Sequence, residues 1–119
     1  MNPSYRHMQI VVLDKREQQF QPLDVVAFRC DGLSSILVKR IVAVPGDTVV
    51  VENKTLLING EKSAFYEQGE FDMPGILCQE LHLSDGEYIV IGDNVKESKD
   101  SRDIRVGIIS VDDIIGKVQ

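Results

Sequence analysis

The sequence predicts a mainly β protein, a small barrel or sandwich of antiparallel strands with little helix. Three observations carry that expectation. Short runs rich in β-branched and aromatic residues recur, such as Val25-Val26-Ala27-Phe28 and Thr48-Val49-Val50-Val51, and such side chains pack well on a pleated surface. Turn-forming combinations separate the runs: Asp31-Gly32, Pro45-Gly46-Asp47, Asn59-Gly60 and Gly92-Asp93-Asn94. No long segment repeats apolar residues at the helical period.

Residues 1–5 are turn-like around Pro3, and 9–14 read as a first short apolar strand. The polar stretch 15–22 connects it to a strand over 24–30. A further strand over 36–44 completes a hairpin whose loop is about five residues long. Strands 48–52 and 55–58 flank Asn53-Lys54 as a second hairpin. The period is lost after Glu61, where Gly69, Pro74 and Gly75 fall, so 61–78 is expected to be a long loop or insertion. Strand character resumes over 87–91. Residues 104–109 read as a short strand, and 111–116 as a single helical turn or bend closed by Gly116.

With 119 residues, 43% of them apolar and 27% charged, the chain fits one compact domain over 1–119 with ordinary globular composition. The net charge of −6, without a dense basic run, argues against nucleic acid as a partner. No apolar run approaches the roughly 18 residues needed to cross a bilayer, and the first residues lack the plan of a secretory signal. Cys30 and Cys78 are too far apart for a CxxC redox or zinc motif. Free buried thiols are the expectation and a single disulfide the alternative.

One residue interrupts the strand over 36–44. Leu37, Lys39 and Ile41 fall on one face, and Val38, Arg40 and Val42 on the other. An ammonium held against apolar neighbours loses hydration, which favours its neutral form. A neutral lysine amine is a usable general base. The alternative is a stem lying along the sheet with its head in solvent.

A second concentration of chemistry follows the strand over 87–91, in Gly92-Asp93-Asn94-Val95-Lys96-Glu97-Ser98-Lys99-Asp100-Ser101-Arg102. As structure, the acids and hydroxyls satisfy backbone donors in turns while Arg102 pairs with a nearby acid. As function, a hydroxyl from this loop hydrogen-bonds the Lys39 amine and orients it, with acid–arginine pairs holding the loop rigid.

Together these stretches resemble the type I signal peptidases, membrane-anchored serine proteases that cut leader peptides from exported proteins. The family strand K-R-x-x-x-x-P-G-D stands here as Lys39-Arg40 through Pro45-Gly46-Asp47, and its loop G-D-N-x-x-x-S-x-D-S-R as Gly92 through Arg102. Asp24-Val25-Val26-Ala27-Phe28 is similar to the family's G-D-I-V-V-F, and Ile114-Ile115-Gly116-Lys117-Val118 to its I-x-G-K-V. The likeness covers most of the chain except 61–78. Leu23 replaces the glycine expected before Asp24, Met8-Gln9 replaces a usual G-D, and Val95 replaces an arginine often found after G-D-N. The short segment between the two main motifs resembles the compact Gram-positive forms.

The family's S-M-x-P-T/S matches Met1-Asn2-Pro3-Ser4 from its second position onward. The resemblance therefore implies either a nucleophilic serine immediately before Met1, with a membrane anchor upstream, or a relative that lacks that serine; on both readings residues 1–119 alone are not expected to complete acyl transfer. It implies Lys39 as general base and Ser98 as the group that orients it. It also implies an Arg40–Asp93 pair and a brace of Asp100, Ser101 and Arg102. Substrate pockets are implied at Met1, Val11, Ala27 and Val38, with an extended signal peptide pairing along Ile36, Leu37 and Val38. Shallow apolar pockets explain a preference for Ala-x-Ala before the cut. No metal or cofactor is called for, and His7 and His82 receive no role. The implied location is the cell membrane, with the active domain on its extracytoplasmic side. One alternative is a non-cleaving relative that acts as a scaffold for a precursor such as a pilin; retention of Lys39 weighs against it. Self-cleaving repressors share the serine–lysine arrangement but lack the D-S-R loop, and this chain has no Ala-Gly or Cys-Gly dipeptide.

Overall fold

The computed structural model describes residues 10–12 and 20–118. The described strands are β1 (Ile10–Val12), β2 (Val25–Cys30), β3 (Ser35–Ala43), β4 (Thr48–Glu52), β5 (Thr55–Ile58), β6 (Glu61–Lys62), β7 (Leu81–His82), β8 (Glu87–Ile91), β9 (Ile109–Ser110) and β10 (Ile114–Val118). They form two antiparallel sheets, one ordered β1-β10-β2-β3-β8-β9 and the other β6-β5-β4-β7. The mainly β expectation holds, and the only helical pieces among the described residues are short 3-10 turns.

Period-two alternation divides the apolar residues between two cores. In β8, Ile89 and Ile91 join Val42, Val49, Val51 and Leu56 between the sheets, whereas Tyr88 and Val90 join Val26, Phe28, Ile41 and Ile114 on the opposite face. The larger sheet is thus buried on both sides along β3 and β8, where the candidate site begins. The β4–β5 hairpin turns on Asn53 (φ 51°) and Lys54 (φ 61°), two left-handed residues whose twist matches that of the flanking strands.

Three sequence expectations are corrected. Residues 104–106 are turns, and the strand is confined to β9. Asp103 diverts the backbone there: its carboxylate accepts from Arg105 N, and its carbonyl accepts from Val106 N and Gly107 N. The 111–116 stretch is a 3-10 turn over Val111–Asp113, capped by Ser110 Oγ, and then β10, which lies between β1 and β2. Cys30 is buried, but Cys78 is exposed, and both thiols are free.

The segment 61–78 begins in β6 and ends in a 3-10 turn over Gly75–Cys78. Its Tyr66, Phe71 and Leu77 are buried in the core between the sheets. Phe71 N donates to Lys54 O at 2.9 Å and Ile76 N to Arg102 O at 3.0 Å, which ties the segment to the 92–102 loop.

Candidate active site

Strand β3 fixes the position of Lys39. Its partner on β2 is Val26, and the register that sets Arg40 opposite Ile91 carries Gly92 to the place facing Lys39 on the other side. Gly92 has no side chain, and that space is used. A methyl group at position 92 would collide with Ser98 Oγ and come within 3.5 Å of Lys39 Nζ. The amine donates to Ser98 Oγ at 3.1 Å, and Lys39 is only 8% exposed. Its head is therefore not in open solvent.

Burial is the largest influence on this amine and lowers its pKa below the ordinary lysine value. Arg102 acts in the same direction, whereas Asp100 and Asp93 oppose it by Coulomb attraction to the charged form. A buried amine with an oriented hydroxyl beside it and a lowered proton affinity has the properties a general base requires.

The 92–102 loop is held at both ends. Arg40 grips Asp93 with two parallel bonds, Nε to Oδ1 at 2.8 Å and a terminal nitrogen to Oδ2 at 3.0 Å. Asp100 is fully buried; its Oδ1 accepts from Arg102 Nε at 2.8 Å and its Oδ2 from Gly92 N at 3.0 Å. The same guanidinium donates to Val95 O at 2.7 Å. Ser101 runs alongside β8: its N donates to Val90 O at 3.0 Å, and its Oγ accepts from Val90 N at 2.9 Å. An open cavity of about 470 Å³ adjoins Ser98, lined also by Arg102, Val95, Met73, Glu70 and Asp72, while Lys39 lies outside its lining.

The structure therefore brings Lys39, Ser98, Arg40, Asp93, Asp100, Ser101 and Arg102 together. The residues named for substrate contact are spread more widely. Ala27 and Val38 are cross-strand partners, and strand alternation turns them to the face opposite Lys39. Leu37 shares the face of Lys39 and packs against the core around Phe28, while Ile36 at the start of β3 is 58% exposed. Met1 and the Val11 side chain lie outside the described residues; the Val11 backbone pairs opposite Lys117 in β1. His82 is exposed, its Nδ1 2.7 Å from Thr48 Oγ1, and His7 lies outside the described residues. Among the described residues no group of three or more His, Cys, Asp or Glu side chains could hold a metal ion.

Sequence reasoning passed over three aromatics. Phe65 lies beneath the Arg40 guanidinium at 4.6 Å, and Phe71 lies 5.3 Å from that of Arg102. Tyr66 stands between them, in edge contact with both rings. The signal was compositional: three of the seven aromatic residues fall within 61–78, more than a solvated loop requires.

The family model described as "Signal peptidase, peptidase S26" matches residues 1–119. Signal peptidase IB of Staphylococcus aureus is 37% identical over 97 residues, covering 68% of this chain and 50% of that protein. Signal peptidase I U of Bacillus subtilis is 31% identical over 127 aligned positions, covering 98% of this chain and 67% of that protein. A crystal structure of a signal peptidase I from Enterococcus faecalis superimposes with a TM-score of 0.64 at 25% identity, covering 84% of this chain and 97% of that one. The chain spans about half the length of the staphylococcal relative, and it belongs to the signal peptidase family, peptidase S26.

Proposed function

We propose that this chain is the catalytic part of a membrane-anchored signal peptidase that removes signal peptides from exported preproteins, with Lys39 as general base for a serine adjoining Met1. The observation that carries the reading is the buried Lys39 amine, held by Ser98 at 3.1 Å and biased by burial toward its neutral form. As the serine Oγ attacks the scissile carbonyl, its proton passes to Nζ. Nζ then gives that proton to the departing amine, leaving an acyl-enzyme. A water next loses a proton to Nζ as it attacks the ester, and Nζ returns the proton to the serine. Ser98 accepts from the amine and so aims its lone pair, while the Arg40–Asp93 and Asp100–Arg102 pairs hold the loop that carries Ser98.

The substrate on this reading is an extended leader ending in small residues such as Ala-x-Ala, laid along the start of β3 where Ile36 is exposed. The active domain faces the extracytoplasmic side, and the anchor lies upstream of Met1. No helix of the described residues is long and apolar enough to cross a membrane.

The test is cleavage of an Ala-x-Ala preprotein by the protein with its upstream segment and the serine before Met1. Lys39→Ala abolishes cleavage while the thermal midpoint is retained, Ser→Ala before Met1 does the same, and Ser98→Ala weakens it. Cleavage that persists in a folded Lys39→Ala variant refutes the mechanism. Tight preprotein binding without cleavage by the wild type instead supports a scaffold.

A further inference from the structure

The segment 61–78 carries none of the residues assigned so far, yet its Tyr66 reaches the backbone beside them. The ring is buried at 6% exposure in the core between the sheets. Its hydroxyl lies 3.3 Å from both the Ile91 and Gly92 carbonyl oxygens, so one O–H is shared between the last residue of β8 and the glycine facing Lys39. Gly92 is held from its other side by Asp100 Oδ2, and Ser98 Oγ packs closely against its Cα. Any displacement of Gly92 thus changes the room available to Ser98 and to Nζ.

We propose that Tyr66 is a positioning residue for the reaction: its hydroxyl clamps the Ile91–Gly92 backbone and through it keeps Ser98 and the Lys39 amine packed together and dry. This rests on the general-base reading of Lys39. The flanking rings strengthen the clamp. Phe65 supports Arg40 and Phe71 supports Arg102, so one aromatic group touches both ion pairs that anchor the loop. Burial pushes the Tyr66 hydroxyl well above its ordinary pKa, with Asp93, Asp100 and Glu70 acting the same way and Arg40 opposing, so it remains a donor throughout the working range.

Among the described residues, Ser98 bonds Nζ, Asp100, Arg102 and Asp93 act on it electrostatically, and the uncharged Val26 is the cross-strand partner of Lys39 on β2. Loss of the Tyr66 hydroxyl leaves the Gly92 carbonyl to take up water, and Ser98 and Nζ pack against the open side of that same glycine. Rehydration weakens the largest cause of the lowered amine pKa, which then moves upward.

The experiment has two readouts on Tyr66→Phe, which keeps the ring and its packing. The Lys39 titration is followed by NMR of the 13C-labelled lysine side chain in the 119-residue chain, independently of catalysis. Cleavage is followed as kcat/KM against pH in the protein with its upstream serine. The expected result is a Lys39 titration moved upward by about one unit, an acidic limb displaced with it, and roughly tenfold lower activity at neutral pH that recovers in alkali. Tyr88→Phe, a buried tyrosine change in the other core, leaves both profiles in place. An unmoved Lys39 titration in folded Tyr66→Phe, or an activity loss equal at every pH, overturns the proposal. Absence of cleavage in the wild type counts against the peptidase reading and leaves the titration arm to decide the clamp.

Discussion

The chain contains two consecutive Asp-x-Arg tripeptides, Asp100-Ser101-Arg102 and Asp103-Ile104-Arg105. Each makes a short acid–arginine pair, 2.8 Å in the first and 2.6 Å in the second. In the first the side chains are 0% and 9% exposed, and in the second 24% and 51%. The middle residue tells them apart. Ser101 is buried and exchanges two hydrogen bonds with Val90, which lays the first tripeptide along β8, whereas Ile104 is 84% exposed on a turn. The same local chemistry is thus a structural brace in one place and a surface contact in the next. What differs is the number of other groups that depend on each pair: Asp100 also holds Gly92 N, and Arg102 also holds Val95 O.

The comparison breaks most visibly at Arg102. Arg102→Ala leaves the Asp100 carboxylate buried without its counter-charge, and removing one member of such a pair costs about 3–5 kcal/mol. The urea midpoint falls accordingly, and Ser98 loses the loop that presents it to Lys39. A loss as small as that of an exposed pair makes the two tripeptides equivalent. Ser101→Ala comes next: it removes the acceptor for a buried backbone N–H, a cost of about 1–3 kcal/mol, measurable in the same unfolding series.

A third effect concerns how far each pair's field reaches. Burial holds the folded-state pKa of the Lys39 amine below the ordinary 10.5; of the first pair Asp100 opposes that lowering and Arg102 adds to it, while Asp93 opposes it. The unfolded chain then binds the Lys39 proton more readily than the folded one. Stability therefore rises with pH across the window between the lowered value and 10.5. Lys39→Met removes the titrating group, so wild type gains on the variant as pH climbs through that window. Parallel denaturation midpoints from neutral to alkaline pH contradict a depressed amine.

Much of this was legible in the sequence because strand alternation is a local signal. Lys39 among apolar neighbours, the turn at Asn53-Lys54 and the acids and hydroxyls of 92–102 could be read from adjacent residues. Val38 falling on the opposite face from Lys39 followed from the same alternation. Strand β10 was hidden because Asp112 and Asp113 precede it and a bulge between Ile114 and Gly116 interrupts its period. The aromatics at 65, 66 and 71 were hidden for another reason: irregular backbone gives buried side chains no period, so only tertiary contact reveals their role. Gly92 looked like a turn residue, although its position is set by the close approach of Ser98.

The smallest effect belongs to the exposed pair. Hydrogen bonds from the Arg105 side chain and backbone hold the Asp103 carboxyl at a pKa of about 2, below the usual 3.8. A depressed acid contributes stability that is fully present above 3.8 and is lost as pH falls through about 2. Asp103→Asn keeps a carbonyl oxygen able to accept from Arg105 N while removing the charge, so the turn survives and only the ionic part goes. Because both partners meet water, salt screens what remains. The variant is expected to unfold slightly before wild type at neutral pH in low salt, to match it in high salt, and to match it again in strong acid. A gap that persists in high salt shows that Asp103, like Asp100, braces the backbone through geometry rather than charge, and the distinction between the two tripeptides is then one of degree.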